Sequence, residues 1–141
     1  MAENRSQISF ILHNSLSELE RLSKELEGVA EQWQLPRRTV IEINLVLEEL
    51  FTNTVSYGFD DDPKHTVSIT MDHDNDRLRI TMSDNGNLFD PTSPEDPALD
   101  TPLKERDIGG LGIFLVRQYV DDLTYTREGD KNIVMLTKKL T

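Results

Sequence analysis

Residues 39–55 carry apolar side chains around most of a helical circumference, from Val40, Ile41 and Ile43 through Leu45, Val46 and Leu47 to Leu50, Phe51 and Val55. Such a helix is not an exposed amphipathic one. It must be largely buried, and the rest of the chain has to supply the layer that covers it. Pro36 stands where a first-turn proline belongs, so the helix is expected to run from there to about Tyr57 and to close at Gly58.

The covering layer is legible as strands. Residues 7–13 read as a short strand. Residues 66–72 alternate with Val67, Ile69 and Met71 on one face, and residues 77–83 with Leu78, Ile80 and Met82. The Asp74-Asn75-Asp76 turn between the last two marks a hairpin. A second hairpin closes the chain, with strands at 122–127 and 132–140 around Glu128-Gly129-Asp130. Between the first strand and the long helix, Ser15-Leu16-Ser17-Glu18 has the spacing of a capping box for a helix reaching about Gln32. Its leucines at 16, 19, 22 and 26 are expected to face the core. Asp60-Asp61-Asp62-Pro63 is a turn cluster. Residues 85–108 are irregular, since Pro91, Pro94, Pro97 and Pro102 forbid a long helix, and an irregular stretch longer than ~15 residues in a compact domain is usually functional. Gly109-Gly110-Leu111-Gly112 then opens a third helix to about Val120. The order predicts an α/β two-layer sandwich, with a mixed, mostly antiparallel sheet covered on one face by helices. Neither an internal repeat nor a dividing linker is visible, so residues 1–141 are expected to form a single domain.

Composition limits the partners. With 36% hydrophobic and 29% charged residues in 141, the chain has the make-up of one soluble globular domain. The formal charge of −11, from 26 acidic and 15 basic side chains, is the wrong sign for duplex nucleic acid or an anionic membrane. No apolar run approaches the roughly 20 residues of a membrane span. No signal pattern opens the chain, and cysteine is absent. Cytoplasmic localisation is the expectation.

Three places carry polar chemistry. Glu49 and Asn53 lie four apart, hence on one side of the buried helix. A buried carboxylate without a partner is costly unless it belongs to a site. Asn53 offers a neutral oxygen to Mg²⁺, and Glu49 can orient or deprotonate a nucleophile; a solvated helix edge is the alternative, and Glu48 fits it. Asp84-Asn85-Gly86 ends a predicted central strand, where a carboxylate can accept from an exocyclic amine such as that of adenine. A plain Asn-Gly hairpin turn is the alternative, weakened because no strand follows in register. The glycines at 109, 110 and 112 precede a helix whose N-terminus favours phosphate, although a flexible hinge has the same composition, and neither a Walker loop nor a dinucleotide fingerprint is complete.

Taken in order, these pieces resemble the GHKL (Bergerat) ATPase/kinase superfamily, whose members include gyrase, MutL and histidine-kinase catalytic domains. Residues 49–53 match its N box, Asp84-Asn85-Gly86 with Phe89-Asp90 its first glycine box, Gly110-Leu111-Gly112 its second, and residues 87–109 its ATP lid. The resemblance implies the histidine-kinase-like ATPase fold, ATP and Mg²⁺ as ligands, Glu49 as general base, Asn53 as metal ligand, and Asp84 with Gly86 at adenine. Gly110, Leu111 and Gly112 would wrap the phosphates. Two positions depart from the pattern: Tyr57 stands where the family often has His, and Asn132, on the last strand, stands where many relatives have a Thr that helps hold adenine. The size and the N-box sequence resemble the bacterial anti-sigma-factor serine kinases (RsbW and SpoIIAB type). That implies a serine/threonine protein kinase acting on a STAS-domain anti-anti-sigma protein, binding a sigma factor, and forming a homodimer. An ATP-gated anti-sigma module without transfer, or a fragment of a histidine kinase, are the alternatives. Phe10, Trp33 and Phe114 are read as core or interface residues, His13 as structural or superficial, and Arg106 as solvated.

Overall fold

Alternation in the sequence becomes strand faces in a computed structural model that describes residues 6–57, 65–74, 76–92 and 112–140. Strand β1 (Ser6–His13) is followed by a 3₁₀ turn (Leu16–Glu18) and helices α1 (Leu19–Trp33) and α2 (Arg37–Tyr57). Then come β2 (Thr66–His73), β3 (Arg77–Asp84), α3 (Gly112–Tyr119), β4 (Asp122–Glu128) and β5 (Lys131–Lys139). Gly58, the 60–63 turn, Asn75, Pro94, Pro97, Pro102, Arg106, Gly109, Gly110 and Leu111 lie outside the described residues.

The sheet has the order β1-β2-β3-β5-β4, and every hydrogen-bonded pair is antiparallel. The expected, mostly antiparallel sheet is antiparallel in every pair among the described strands, and the connections say why. Two helices return the chain to the end of the sheet it left, so Thr66 pairs with His13. The connection that includes α3 carries it to the opposite end, which makes β4 run the same way as β3. Strand β5 inserts between those two and is antiparallel to both.

One face of the sheet meets the helices. Successive rows across it read Ile8–Met71–Ile80–Leu136–Leu123, then Phe10–Ile69–Met82–Val134–Tyr125, then Leu12–Val67–Asp84–Asn132–Arg127. The first two rows are largely apolar core. The third is apolar in β1 and β2 and polar in β3, β5 and β4, and that change fixes where a site forms. Against this face α2 buries Val40, Ile43, Val46, Leu47, Leu50 and Phe51, whereas Ile41 and Leu45 face outward. Each fully buried aliphatic side chain contributes about 1.5–3 kcal/mol. Phe10 joins the core, Trp33 packs at its edge with its ring 4.4 Å from that of His73, and Phe114 is exposed.

The capping sequence departs from expectation. Ser15 caps the turn by accepting from the Ser17 N–H at 3.2 Å, and the Glu18 carboxylate reaches back to the His13 N–H at 2.8 Å rather than to that of Ser15. Because the first turn is 3₁₀, with about three residues per turn, Leu16 is rotated off the apolar stripe and is 43% exposed, while Leu22 and Leu26 are buried and Leu19 partly so.

At the far end of the sheet from the polar row, Lys138 ties three elements together. Its ammonium lies 2.6 Å from Glu42 of α2 and donates to the Tyr119 carbonyl, the last of α3, at 2.6 Å. Arg38 also contacts Glu42, at 3.0 Å. The hydrogen bonds from Lys138 and then Arg38 hold the Glu42 carboxyl below its ordinary value of 4.5. This stabilisation is therefore complete above that value and is lost as pH falls through the lower native-state one. Glu42→Gln is expected to reduce the unfolding free energy by about 2 kcal/mol at neutral pH. Urea unfolding of both proteins across an acid pH series should show that difference shrink; a difference independent of pH would contradict the assignment.

Candidate functional site

The polar row of the sheet is closed by hydrogen bonds before any ligand is considered. Asp84, at the end of β3, accepts at Oδ1 from the Gly86 N–H at 2.8 Å and from the Asn132 amide at 3.0 Å. The first bond folds the chain sharply back after the strand, which explains why Asp84-Asn85-Gly86 does not continue into a hairpin. Burial pushes the Asp84 carboxyl upward, opposed by the Asn132 and Gly86 hydrogen bonds and by the charges of Arg127 and His65.

Asn132, paired with Asp84 across β3 and β5, is a hub. Its amide donates to Asp84 and to the Asn87 carbonyl at 2.7 Å. Its oxygen accepts from the Tyr125 hydroxyl at 2.6 Å, Arg127 Nη1 at 3.1 Å and the Phe89 N–H at 3.3 Å. Both amide hydrogens are thus used on protein acceptors, and the side chain is 2% exposed. Asn132 holds Asp84 and the loop that follows it. Arg127 also donates to the Gly86 carbonyl at 3.0 Å, so the turn is anchored at both its N–H and its C=O.

Residues 85–92 are pinned to the helices as well. Thr92 donates its N–H and hydroxyl to Asp90 Oδ1 at 2.8 and 2.6 Å. Its carbonyl accepts from Arg117 of α3 at 2.8 Å. The Pro91 carbonyl accepts from Asn53 Nδ2 at 3.1 Å. That bond turns Asn53 so that Oδ1, not the amide nitrogen, is left to be presented. Asn53 is fully buried, and Oδ1 has no partner among the described residues; the same holds for Glu49 Oε2, one helical turn earlier. Burial raises the Glu49 carboxyl above the usual range, and hydrogen bonding with Asn53 offsets this only in part. Orphaned buried oxygens are costly, and this pair, with the Thr54 hydroxyl also unpartnered next to Asn53, offers oxygen ligands of the kind a hard cation takes. A carboxylate raised in this way is a better proton acceptor than an exposed one.

Gly112 is the first residue of α3, and a β-carbon built there would fall on Glu49 Cδ, Oε1 and Cγ. The structure therefore brings Glu49, Asn53 and Gly112 together on the α2–α3 side, and Asp84, Gly86 and Asn132 together on the sheet; the 85–92 segment joins the two groups through Pro91. Gly110 and Leu111 lie outside the described residues. Sequence reasoning passed over Tyr125, Arg127, Arg117 and the Pro91 carbonyl. The first two occupy alternate positions of β4 in register with Val134 and Asn132, a signal readable from strand period once the register is known. Arg117 and Pro91 carry no such signal.

The model of the histidine kinase-like ATPase domain matches residues 12–138. The serine/threonine-protein kinase BtrW of Bordetella bronchiseptica is 28% identical over 112 residues, covering 79% of each chain. The serine-protein kinase RsbW of Listeria monocytogenes is 30% identical over 125 residues, covering 83% of this chain and 76% of that one. Among solved structures, a chain holding RsbU and RsbW domains from Mycobacterium tuberculosis superposes with a TM-score of 0.65 at 14% identity, over 96% of this chain and 32% of that one. The histidine kinase domain of a blue-light activated kinase from Erythrobacter litoralis gives 0.53 at 23% identity, over 89% and 60%. This chain spans about a third of the former and well over half of the latter, and at such identities both show the fold alone. The family match runs from the end of β1 nearly to the end of β5, through every element that builds the site, so this chain belongs to the histidine kinase-like ATPase domain family, with RsbW-type serine kinases among its relatives.

Proposed function

We propose that this protein is an ATP-binding serine/threonine protein kinase of the anti-sigma-factor type, which phosphorylates a hydroxyl of a STAS-domain anti-anti-sigma partner and also binds a sigma factor. The observation that carries the reading is the pair of buried, unpartnered oxygens on consecutive turns of α2, Glu49 Oε2 and Asn53 Oδ1. The printed names of BtrW and RsbW, both protein kinases, support it. Asp84 receives the adenine amine, with Gly86 giving the ring close access, and Asn132 holds Asp84 in place. Asn53 supplies an oxygen to Mg²⁺. Gly110, Leu111 and Gly112 lead the chain into α3, whose first N–H groups favour phosphate. Bound Mg-ATP supplies the phosphoryl group, with the metal neutralising charge on it. Glu49 accepts the proton leaving the partner's serine or threonine hydroxyl. The unit that acts is a single domain, residues 1–141, with a lid at about 87–109, working as a homodimer in the cytoplasm. Among the described residues no helix is long and apolar enough to cross a membrane.

Calorimetry with ATP should show magnesium-dependent binding to the wild-type protein, weakened about tenfold or more in Asn53→Ala and in Asp84→Asn, as expected for loss of a hydrogen bond or ligand bond at a charged group. A wild-type protein that binds no nucleotide would overturn the proposal.

Glu49→Gln is expected to keep ATP affinity within about threefold but to lower phosphoryl transfer to a STAS protein by about 10²–10⁴-fold, the range for removing a general base. The same change should stabilise the ligand-free protein. Since burial raises the Glu49 carboxyl, its ionisation costs stability as pH rises above the unfolded-state value, and the cost is complete above the native-state one. Thermal midpoints compared between acid and neutral pH should show the Gln variant gaining on the wild type as pH rises; a gain at acid pH alone would refute this.

A further inference from the structure

Gly112 is not required by its backbone. It is the first residue of a regular helix, and among the described glycines only Gly129 has a positive φ. Nor is glycine called for by helix formation, since it is a poor former and alanine a better one. Gly28, inside α1, shows the contrast: a β-carbon there meets nothing within 4 Å. At Gly112 the obstacle is one side chain. The three nearest atoms to the missing β-carbon are Cδ, Oε1 and Cγ of Glu49. The buried Ile113 and Val116 hold α3 in place, and Arg117 bonds to the Thr92 carbonyl, so the helix does not simply yield.

We propose that Gly112 is a positioning residue for Glu49: its absent side chain is the space in which the carboxyl group sits, and the bare backbone at the start of α3 is the wall that fixes it. This deepens the kinase reading and rests on it. The missing side chain of Gly112 then serves the proton acceptor, while its backbone remains part of the start of α3. A glutamate has three rotatable side-chain bonds, and on this helix one neighbour, Asn53, restrains it from its own element. The second restraint comes from across the α2–α3 packing. A methyl group at 112 displaces the carboxyl by about one bond length, and misplacements on that scale cost about 10²-fold in rate.

The experiment is a pair of double-mutant cycles on the full chain. Gly112→Ala should leave the dissociation constant for ATP and the KM within about threefold while lowering kcat for transfer about 100-fold. Shortening the carboxylate by one methylene should make room for the new methyl. The Gly112→Ala, Glu49→Asp double variant is accordingly expected to be no slower than the worse single variant, instead of showing the product of the two losses. The second cycle needs no activity. Gly112→Ala should lower the thermal midpoint in the Glu49 protein and raise it in a Glu49→Ala background, where the clash is gone and only the helix preference for alanine remains. Weakened ATP binding that is the same with Glu49 or Ala at position 49 would assign Gly112 to the phosphates and overturn the proposal, as would additive midpoints. Absence of transfer by the wild-type protein would overturn the kinase reading instead, with the thermal cycle still deciding whether residues 49 and 112 share one volume.

Discussion

The hydrogen bond between Asp84 and Asn132 is the constraint around which the site end of the molecule is arranged. Both residues point into the helix-facing side of the sheet, at the row where apolar side chains would otherwise continue from Leu12 and Val67. A carboxylate placed there loses most of its hydration, and burial of that kind is tolerated only when the group is well bonded. The solution is a network in which Asn132 spends both amide hydrogens and takes three donors on its oxygen. Its consequence is mechanical. The bonds that satisfy Asn132 come from the loop after β3 and from β4, so satisfying the sheet row also fixes the path of residues 85–89.

A second constraint acts from the other layer. Helix α2 is the buried centre of the helical layer, and its first half packs on the sheet and is tied to it through Glu42 and Lys138. Its C-terminal half carries Glu49, Asn53 and Thr54, each with a buried oxygen lacking a partner among the described residues. The change within one helix is abrupt because the sheet row beneath it also changes, from apolar to polar. The Pro91 carbonyl joins the two layers by taking the Asn53 amide. The segment that leaves the sheet at Asp84 therefore also decides which atom Asn53 presents.

How much of this the sequence revealed follows from the range of each interaction. Strand period, hairpin turns and the buried character of α2 are local, and all five strands were placed to within a residue or two of the observed ends. Glu49, Asn53 and Asp84 stood out because a charged or amide side chain among apolar neighbours is a local anomaly. Leu16 was misread because a 3₁₀ turn and the first turn of an α-helix share the same capping residues and differ only in rotation. The sheet's uniform antiparallel pairing depended on β5 inserting between β3 and β4, which no single segment encodes. Asn132 was singled out only through the family resemblance, where many relatives have Thr, and its partners were not legible: Tyr125 and Arg127 reach it only through the β4–β5 register. Arg117 and Pro91 act through a guanidinium and a carbonyl brought together by packing, and neither residue type announces such a role.

Unequal satisfaction of the two polar groups separates their tasks. Asp84 accepts from the Gly86 N–H and the Asn132 amide, which oppose the upward push of burial and fix the group in place, as a group that reads a ligand's shape requires. Glu49 is left with one orphaned oxygen, a single amide neighbour and a wall of helix backbone at Gly112. It is the less stable arrangement, and that instability is useful for a group that has to change protonation state, since a carboxylate locked by several donors would be a poor base. Two acidic side chains under the same layer of helices are thereby driven apart in character by their neighbours. On the proposed reading, the difference in hydrogen bonding separates the group that recognises the ligand from the group that reacts.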